Sequence, residues 1–329
     1  MRTHEHRLLT WLGVAVLLGA VLGACSGQPE PDQPQDLTQL APISLDAGER
    51  LGVIATTNIV GDVVHQVGGD RIKLTTLMGI GIDPHSYVPT PSDSAAIHDA
   101  HVVFASGAGL ESSLEQNFEN AGGDAIRVYL SDDLHHRLTE GGLEEEGDGH
   151  DHEEGEIDPH VWFDVQNVIQ WVEMIEQVLS ALDPANAAAY QANAAGYVRE
   201  LEELDAWVIE QVASIPQANR KLVTNHLSFG YLADRYGLEQ VGAVYPISPA
   251  AEPSARDIAL LEDAIREYDV PAVFAESTVN PKLAQQVADD TGVKLVALYS
   301  GSLGEPGSGA ETYIKLIRYD VGAIVNALK

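Results

Sequence analysis

Four side chains in this sequence have the type and placement to hold a small cation. His85 lies in Ile82-Asp-Pro-His-Ser-Tyr-Val-Pro-Thr-Pro-Ser-Asp93, and His160 in Ile157-Asp-Pro-His-Val-Trp-Phe-Asp164. The tripeptide Asp-Pro-His therefore occurs twice. Proline fixes its own φ and restricts the residue before it, so each imidazole is presented from a stiff loop. Such a loop loses little entropy on capturing a ligand. His226 ends a strand in Leu222-Val-Thr-Asn-His226, and Glu276 ends another in Pro271-Ala-Val-Phe-Ala-Glu276. Neutral imidazoles with one carboxylate suit a four-coordinate zinc ion. Taken singly, each histidine reads as an ordinary hydrogen-bonded loop residue; the repeated tripeptide and the shared strand-end placement argue for a joint site. Glu276 is the candidate fourth ligand.

The elements that must position these groups follow from the hydrophobic pattern. Apolar, β-branched runs at 51–57, 72–78, 101–105 and 127–130 read as strands. Helix-like stretches at 58–67, 92–99 and 111–120 separate them. After Pro216 the alternation resumes, with strands at 221–225, 240–245, 271–275 and 294–299 and helices at 228–236, 254–268, 281–291 and 312–328. Strand–helix alternation predicts parallel sheets covered by helices. Ligand crevices in such sheets lie at the carboxyl ends of the strands, where His85, His226 and Glu276 fall. His160 is placed just before a helix. Between the halves, Asp183-Pro184 reads as a helix start. Tyr190, Ala194, Tyr197, Leu201, Leu204, Val208 and Val212 then form one apolar stripe. The reading is a single amphipathic helix of ~31 residues, ~46 Å long, able to run the height of two lobes and join them. The expected fold is thus α/β: two lobes, residues 48–182 and 216–329, each with a mainly parallel sheet flanked by helices, and a linking helix at 183–215.

Composition narrows the function. Against 18 Lys and Arg stand 50 Asp and Glu, a formal charge of −32. Nucleic acid and anionic membrane surfaces select the opposite balance, whereas a cation binder tolerates it. The single cysteine, Cys25, excludes an intramolecular disulfide and a cysteine-rich zinc module. A basic start and an apolar run of ~15 residues, short of the ~20 a membrane span needs, end in Leu22-Gly23-Ala24-Cys25. This resembles a bacterial lipobox, so residues 1–24 are expected to be a signal peptide and Cys25 the lipidated residue. Residues 25–47, rich in Pro and Gln, read as a flexible tether. Residues 132–158 carry twelve acids, His135, His136, His150 and His152. They read as a solvated loop with weak, auxiliary metal ligands. His65, His98 and His101 read as ordinary surface or core histidines.

Together, the lipobox, the two Asp-Pro-His segments, the acidic His-bearing loop, Asn225-His-Leu-Ser-Phe-Gly-Tyr-Leu-Ala-Asp-Arg-Tyr-Gly-Leu238 and Phe274-Ala-Glu-Ser277 resemble the zinc/manganese solute-binding lipoproteins of bacterial ABC transporters (cluster A-I, the adhesin-lipoprotein group). The resemblance spans about residues 48 to 329. It implies two α/β lobes joined by a rigid helix, one divalent ion in the cleft, and delivery to a membrane permease with no chemistry on the ion. His85, His160 and His226 match the family's first three ligands. Manganese members tend to have Glu where this chain has His226, and a third imidazole favours zinc, with manganese the alternative. The family's fourth ligand is often an Asp in a Tyr-x-Asp-Ser segment. Here that segment reads Tyr299-Ser-Gly-Ser302, and Gly301 offers no donor. Glu276 or a water would take that position, or Glu276 would instead orient an imidazole. The chain is expected to act outside the cytoplasm as a lipid-anchored monomer, without nucleic acid. Three imidazoles with a water also form a catalytic zinc pattern, so a secreted zinc hydrolase is an alternative. Against it stands the lack of His-Glu-x-x-His. A surface adhesin is a third reading, supported only by surface placement.

Overall fold

The computed structural model describes residues 40–139, 157–245 and 253–329. The signal, Cys25, most of the tether, and His150 and His152 lie outside the described residues. The described chain contains two sheets of four parallel strands. The first is built from β1 (Leu51–Ala55), β2 (Ile72–Thr76), β3 (Val102–Ala105) and β4 (Ile126–Tyr129), in the order β2-β1-β3-β4. The second is built from β5 (Lys221–His226), β6 (Glu239–Tyr245), β7 (Ala272–Glu276) and β8 (Lys294–Leu298), in the order β6-β5-β7-β8. The two orders are the same topology. β1 is a nearly continuous apolar run because it is buried as an inner strand; β5 is buried as an inner strand too, although it carries Thr224, Asn225 and His226.

Helices follow the strands. α1 (Asn58–Gly68), α2 (Pro91–His98) and α3 (Ser112–Ala121) serve the first sheet, and α6 (Gly230–Tyr236), α7 (Ala255–Glu267), α8 (Lys282–Thr291) and α9 (Tyr313–Leu328) the second. Between them stand α4 (Val165–Leu182) and α5 (Ala187–Ala213). No described helix is long and apolar enough to cross a membrane.

α5 has 27 residues and begins three residues later than Asp183-Pro184 predicts. Asp183 does not start α5. It ends α4, and its Oδ2 accepts from Asn186 Nδ2 at 2.7 Å and from the Tyr190 hydroxyl at 2.8 Å. The carboxylate thus pins the turn between two antiparallel neighbours instead of capping one longer helix. All seven residues of the predicted stripe are buried. They pack against α1, α4, α6 and α9, so α5 touches elements of both halves. One hydrophobic cluster accordingly runs from β1 and α1 through Trp171, Ile175 and Leu179 of α4 and on to Phe274 and α9. Each fully buried Leu or Ile in it contributes about 1.5–3 kcal/mol. A core shared in this way holds the ends of the two sheets in a fixed relation, which is what the histidines require.

Candidate metal centre

Both Asp-Pro-His segments fold by the same local device. Asp83 Oδ1 accepts the backbone N–H of His85 at 3.0 Å, and Asp158 Oδ1 accepts that of His160, also at 3.0 Å. The aspartate therefore holds the turn that the proline prepares. Asp83 Oδ2 also accepts from Ser86 Oγ at 3.0 Å. The far side of the His85 loop is held by Asp93, which accepts from the Tyr87 hydroxyl at 2.7 Å and from the N–H of Thr90 at 2.6 Å. Asp158 does more than Asp83. Its Oδ1 lies 2.7 Å from Nδ1 of His160. That contact keeps the proton on Nδ1 and leaves the Nε2 lone pair free.

The three imidazoles converge. Nε2 of His160 is 3.0 Å from Nε2 of His85 and 3.1 Å from Nε2 of His226. Ring centroids are 5.0, 5.0 and 5.5 Å apart. Nitrogens bound tetrahedrally to one ion at ~2.0–2.1 Å stand about 3.3 Å from each other, so the observed spacing is close to that of a shared cation. His160 and His226 are buried, and His85 is half-buried at the rim. Among the described residues this is the one group of three or more His, Cys, Asp or Glu ligand atoms close enough to share an ion.

Glu276 does not join the three. It ends β7, beside β5, and stands behind His226. Its Oε1 accepts the backbone N–H of His226 at 3.0 Å, and its Oε2 accepts from Ser228 Oγ at 3.1 Å. Oε1 also lies 2.9 Å from Nδ1 of the His226 ring, at ion-pair distance but off the line of a straight hydrogen bond. Burial alone would lift the Glu276 pKa, yet the His226 charge and hydrogen bonding to His226 and Ser300 bring it below the usual value. Burial would likewise lower His226, but Glu276 reverses the direction and the net shift is upward. At His85 the pull of the Glu276 charge is outweighed. Burial, then the two neighbouring imidazoles, push it down to about 3. At neutral pH the centre therefore presents at least one unprotonated imidazole and an ionised carboxylate behind another.

The other candidates separate. His136 is gripped by two carboxylates, with Nδ1 2.6 Å from Asp164 and Nε2 3.0 Å from Asp234. This ties the start of the acidic segment to the cap of α4 and to α6. The backbone N–H of His135 donates to Gln170 Oε1 at 3.1 Å. His98 and His101 are engaged by backbone, as expected of ordinary histidines: Nδ1 of His98 is 3.1 Å from the carbonyl of Ala121, and Nδ1 of His101 accepts from Gly52 at 2.8 Å. Sequence reasoning credited the Asp-Pro-His stiffness to proline and missed the aspartates. Their position two residues before each histidine, the spacing of an Asx turn, was the available signal.

Comparison with known proteins identifies the family. Residues 53–327 match the family described as zinc-uptake complex component A, periplasmic. The manganese-binding lipoprotein MntA of Halalkalibacterium halodurans is 36% identical over 282 residues, covering 85% of this chain and 89% of its own. The manganese ABC transporter substrate-binding lipoprotein PsaA of Streptococcus mitis is 29% identical over 285 residues, covering 86% and 90%. The solved periplasmic zinc binding protein TroA of Treponema pallidum superposes with a TM-score of 0.77 at 29% identity, over 85% of this chain and 99% of that one. The family is one of solute-binding proteins of ABC transporters, not of enzymes. On the match of its family model over most of its length, the chain belongs to the family of periplasmic component A of zinc-uptake complexes.

Proposed function

We propose that this chain captures one divalent transition-metal ion outside the cytoplasm, with Nε2 of His85, His160 and His226 as its ligands, and hands it to an ABC permease. The observation that carries the reading is the mutual approach of the three Nε2 atoms at 3.0–3.1 Å. Glu276 supports His226 from behind and supplies charge without joining the donor set. No bond in the cargo is made or broken. The protein's work is to desolvate the ion, hold it and release it. Lipidation at Cys25 would keep the domain near the permease; the relatives' description as lipoproteins supports this.

For the cargo, the names of the relatives favour manganese over the zinc that the sequence reading put first. Manganese is therefore the physiological cargo in this reading. Zinc is the second reading, carried by the donor set: three nitrogens and no carboxylate among them. The two readings meet in the general order of divalent-metal affinities, in which Zn²⁺ outbinds Mn²⁺ at almost any nitrogen site. Affinity alone therefore does not identify the cargo. Uptake of radiolabelled manganese and zinc should be compared in cells with and without the chain. Manganese uptake that depends on the chain supports the first reading. Chain-dependent zinc uptake with unchanged manganese uptake replaces it with the second.

A further inference from the structure

The hydrogen bonds that pair β2 with β1 run on to Met78, whose N–H donates to the carbonyl of Thr56 at 2.9 Å. Beyond Met78 the chain leaves the sheet, and Gly79 to Ile82 run exposed towards Pro84 and His85. Two side chains hold this exposed stem from beneath. Asn58, the first residue of α1, donates from Nδ2 to the carbonyl of Gly79 at 2.9 Å and to Ser302 Oγ at 3.0 Å. Its Oδ1 accepts the N–H of Leu303 at 2.7 Å. Ser302 Oγ accepts the N–H of Gly81 at 2.7 Å and donates to the carbonyl of Leu303 at 3.0 Å. Both residues are buried. One amide and one hydroxyl therefore join the stem of the His85 loop to residues 302–303, which follow β8 in the other half.

The same face of α1 meets that segment a second time. One turn on from Asn58, Asp62 Oδ2 accepts the N–H of Tyr313, the first residue of α9, at 2.8 Å. Between these two grips the chain closes on itself. The N–H of Gly304 donates to the Ala310 carbonyl at 2.9 Å, and Glu311 Oε1 accepts the N–H of Gly307 at 2.7 Å and that of Gly309 at 3.1 Å. Residues 302–313 are thus a stiff strap fixed to α1 at both ends, and only its first end reaches the His85 stem.

Resting on the metal reading above, we propose that Asn58 and Ser302 form a latch that sets how fast the ion enters and leaves, as distinct from how tightly it is held. His85 is the rim ligand, with His160 and His226 buried behind it, so the ion's way out is past the His85 loop. That loop swings outward only when Gly79 and Gly81 part from Asn58 and Ser302. Neither side chain belongs to the ligand group. The latch is therefore the same with or without the ion, and it resists opening equally in both directions. An equal change in the two rates leaves their ratio, the affinity, where it was. Asn58 and Ser302 are positioning residues that act through the loop.

Zinc-loaded full chain mixed with an excess of a chromophoric chelator gives the release rate by stopped flow, and competition titration gives the affinity. Asn58→Ala and Ser302→Ala are each expected to speed release by about 10- to 100-fold, the scale for two or three buried hydrogen bonds, with affinity within about threefold of the native chain. Asp62→Ala breaks the strap's far grip, away from the stem, and serves as the control: it should lower the urea unfolding midpoint and leave the release rate near native. Release that rises as much in Asp62→Ala as in Asn58→Ala would reduce the latch to general packing and overturn the proposal. So would unchanged release in both latch variants, or faster release matched by an equal loss of affinity, which places the effect on the loaded state alone. Should Asn58→Ala fail to fold, Ser302→Ala and the native chain carry the test. The amide hydrogens of Gly81 and Leu303 donate to the two latch side chains. They should show one common protection factor in hydrogen exchange and lose it together in Ser302→Ala; separate protection would contradict the latch. Zinc binding that is absent, or indifferent to His160→Ala, would instead strike the metal reading and this one with it.

Discussion

Glu276 and His226 are joined twice, once through the backbone N–H of the histidine at 3.0 Å and once through its ring Nδ1 at 2.9 Å, and both contacts fall on the same carboxylate oxygen. They come from the ends of adjacent strands, β5 and β7. The pair places a buried negative charge on the far side of an imidazole whose other nitrogen faces the cluster. That arrangement makes His226 more basic and leaves Glu276 outside the cluster of three histidine nitrogens.

Glu276→Gln should therefore act as the loss of a supporting charge. The amide still accepts the His226 N–H. Metal affinity is expected to fall by about 10- to 100-fold, with the unfolding midpoint of the metal-free protein little changed. Competition titration against a chelator measures this. A loss as large as that of His226→Ala would make Glu276 a ligand instead.

The two Asp-Pro-His segments differ in one contact, and the difference is measurable. Asp158 touches the ring of His160, whereas Asp83 reaches only backbone and Ser86. Asp158→Asn should lower metal affinity by about tenfold or more, because the Nδ1–H is no longer held by a charge. Asp83→Asn keeps the acceptor for the His85 N–H and should change affinity little. Equal losses in the two variants would contradict the role given to the ring contact.

Most strands and helices were legible because their apolar periods are long and uninterrupted. The bounds of α4 were not. Val165–Leu182 is apolar on a wide face, since it is covered by α1 and α5, and only the cap at Asp164 marks its start. The late beginning of α5 was hidden for a similar reason: Asp183-Pro184 has the chemistry of a helix start, and only tertiary packing shows that the carboxylate serves the turn to Tyr190. At the centre, His85, His160 and His226 were readable from a repeated tripeptide and a strand end. Which side of His226 Glu276 occupies is a matter of strand pairing, and the sequence could offer either side.

Binding should release protons. His85, held down to about 3, is already neutral over the physiological range. His226, shifted upward, is the imidazole from which the ion displaces a proton. Affinity is thus expected to fall as pH drops, with the fall beginning above the ordinary imidazole value of ~6.5 because the His226 shift is upward. Calorimetry in buffers of different ionisation enthalpy should show net proton release on binding in the native chain, and less in Glu276→Gln. Proton-independent binding would contradict the assignment of His226.

Asp320 offers a test of stability away from the ion. It is fully buried in α9. One oxygen accepts the N–H of Tyr299 at 2.9 Å, and the other has no partner. Burial pushes its pKa well above 3.8. The folded chain then holds a proton that the unfolded chain gives up, so this group's contribution to stability is lost as pH rises from ~4 through the folded value. Asp320→Asn keeps an acceptor for Tyr299 and cannot ionise. Urea unfolding of the metal-free protein at a series of pH values should show a shallower decline towards neutral pH than in the native chain. An unchanged slope would show that Asp320 does not titrate this way.

Crystals of the zinc-loaded chain, with anomalous differences collected across the metal edge, put the shared-cation geometry to a single test. One peak is expected, about 2.0–2.1 Å from Nε2 of each of His85, His160 and His226. A tight ion bound elsewhere, with these three nitrogens uncoordinated, would contradict it.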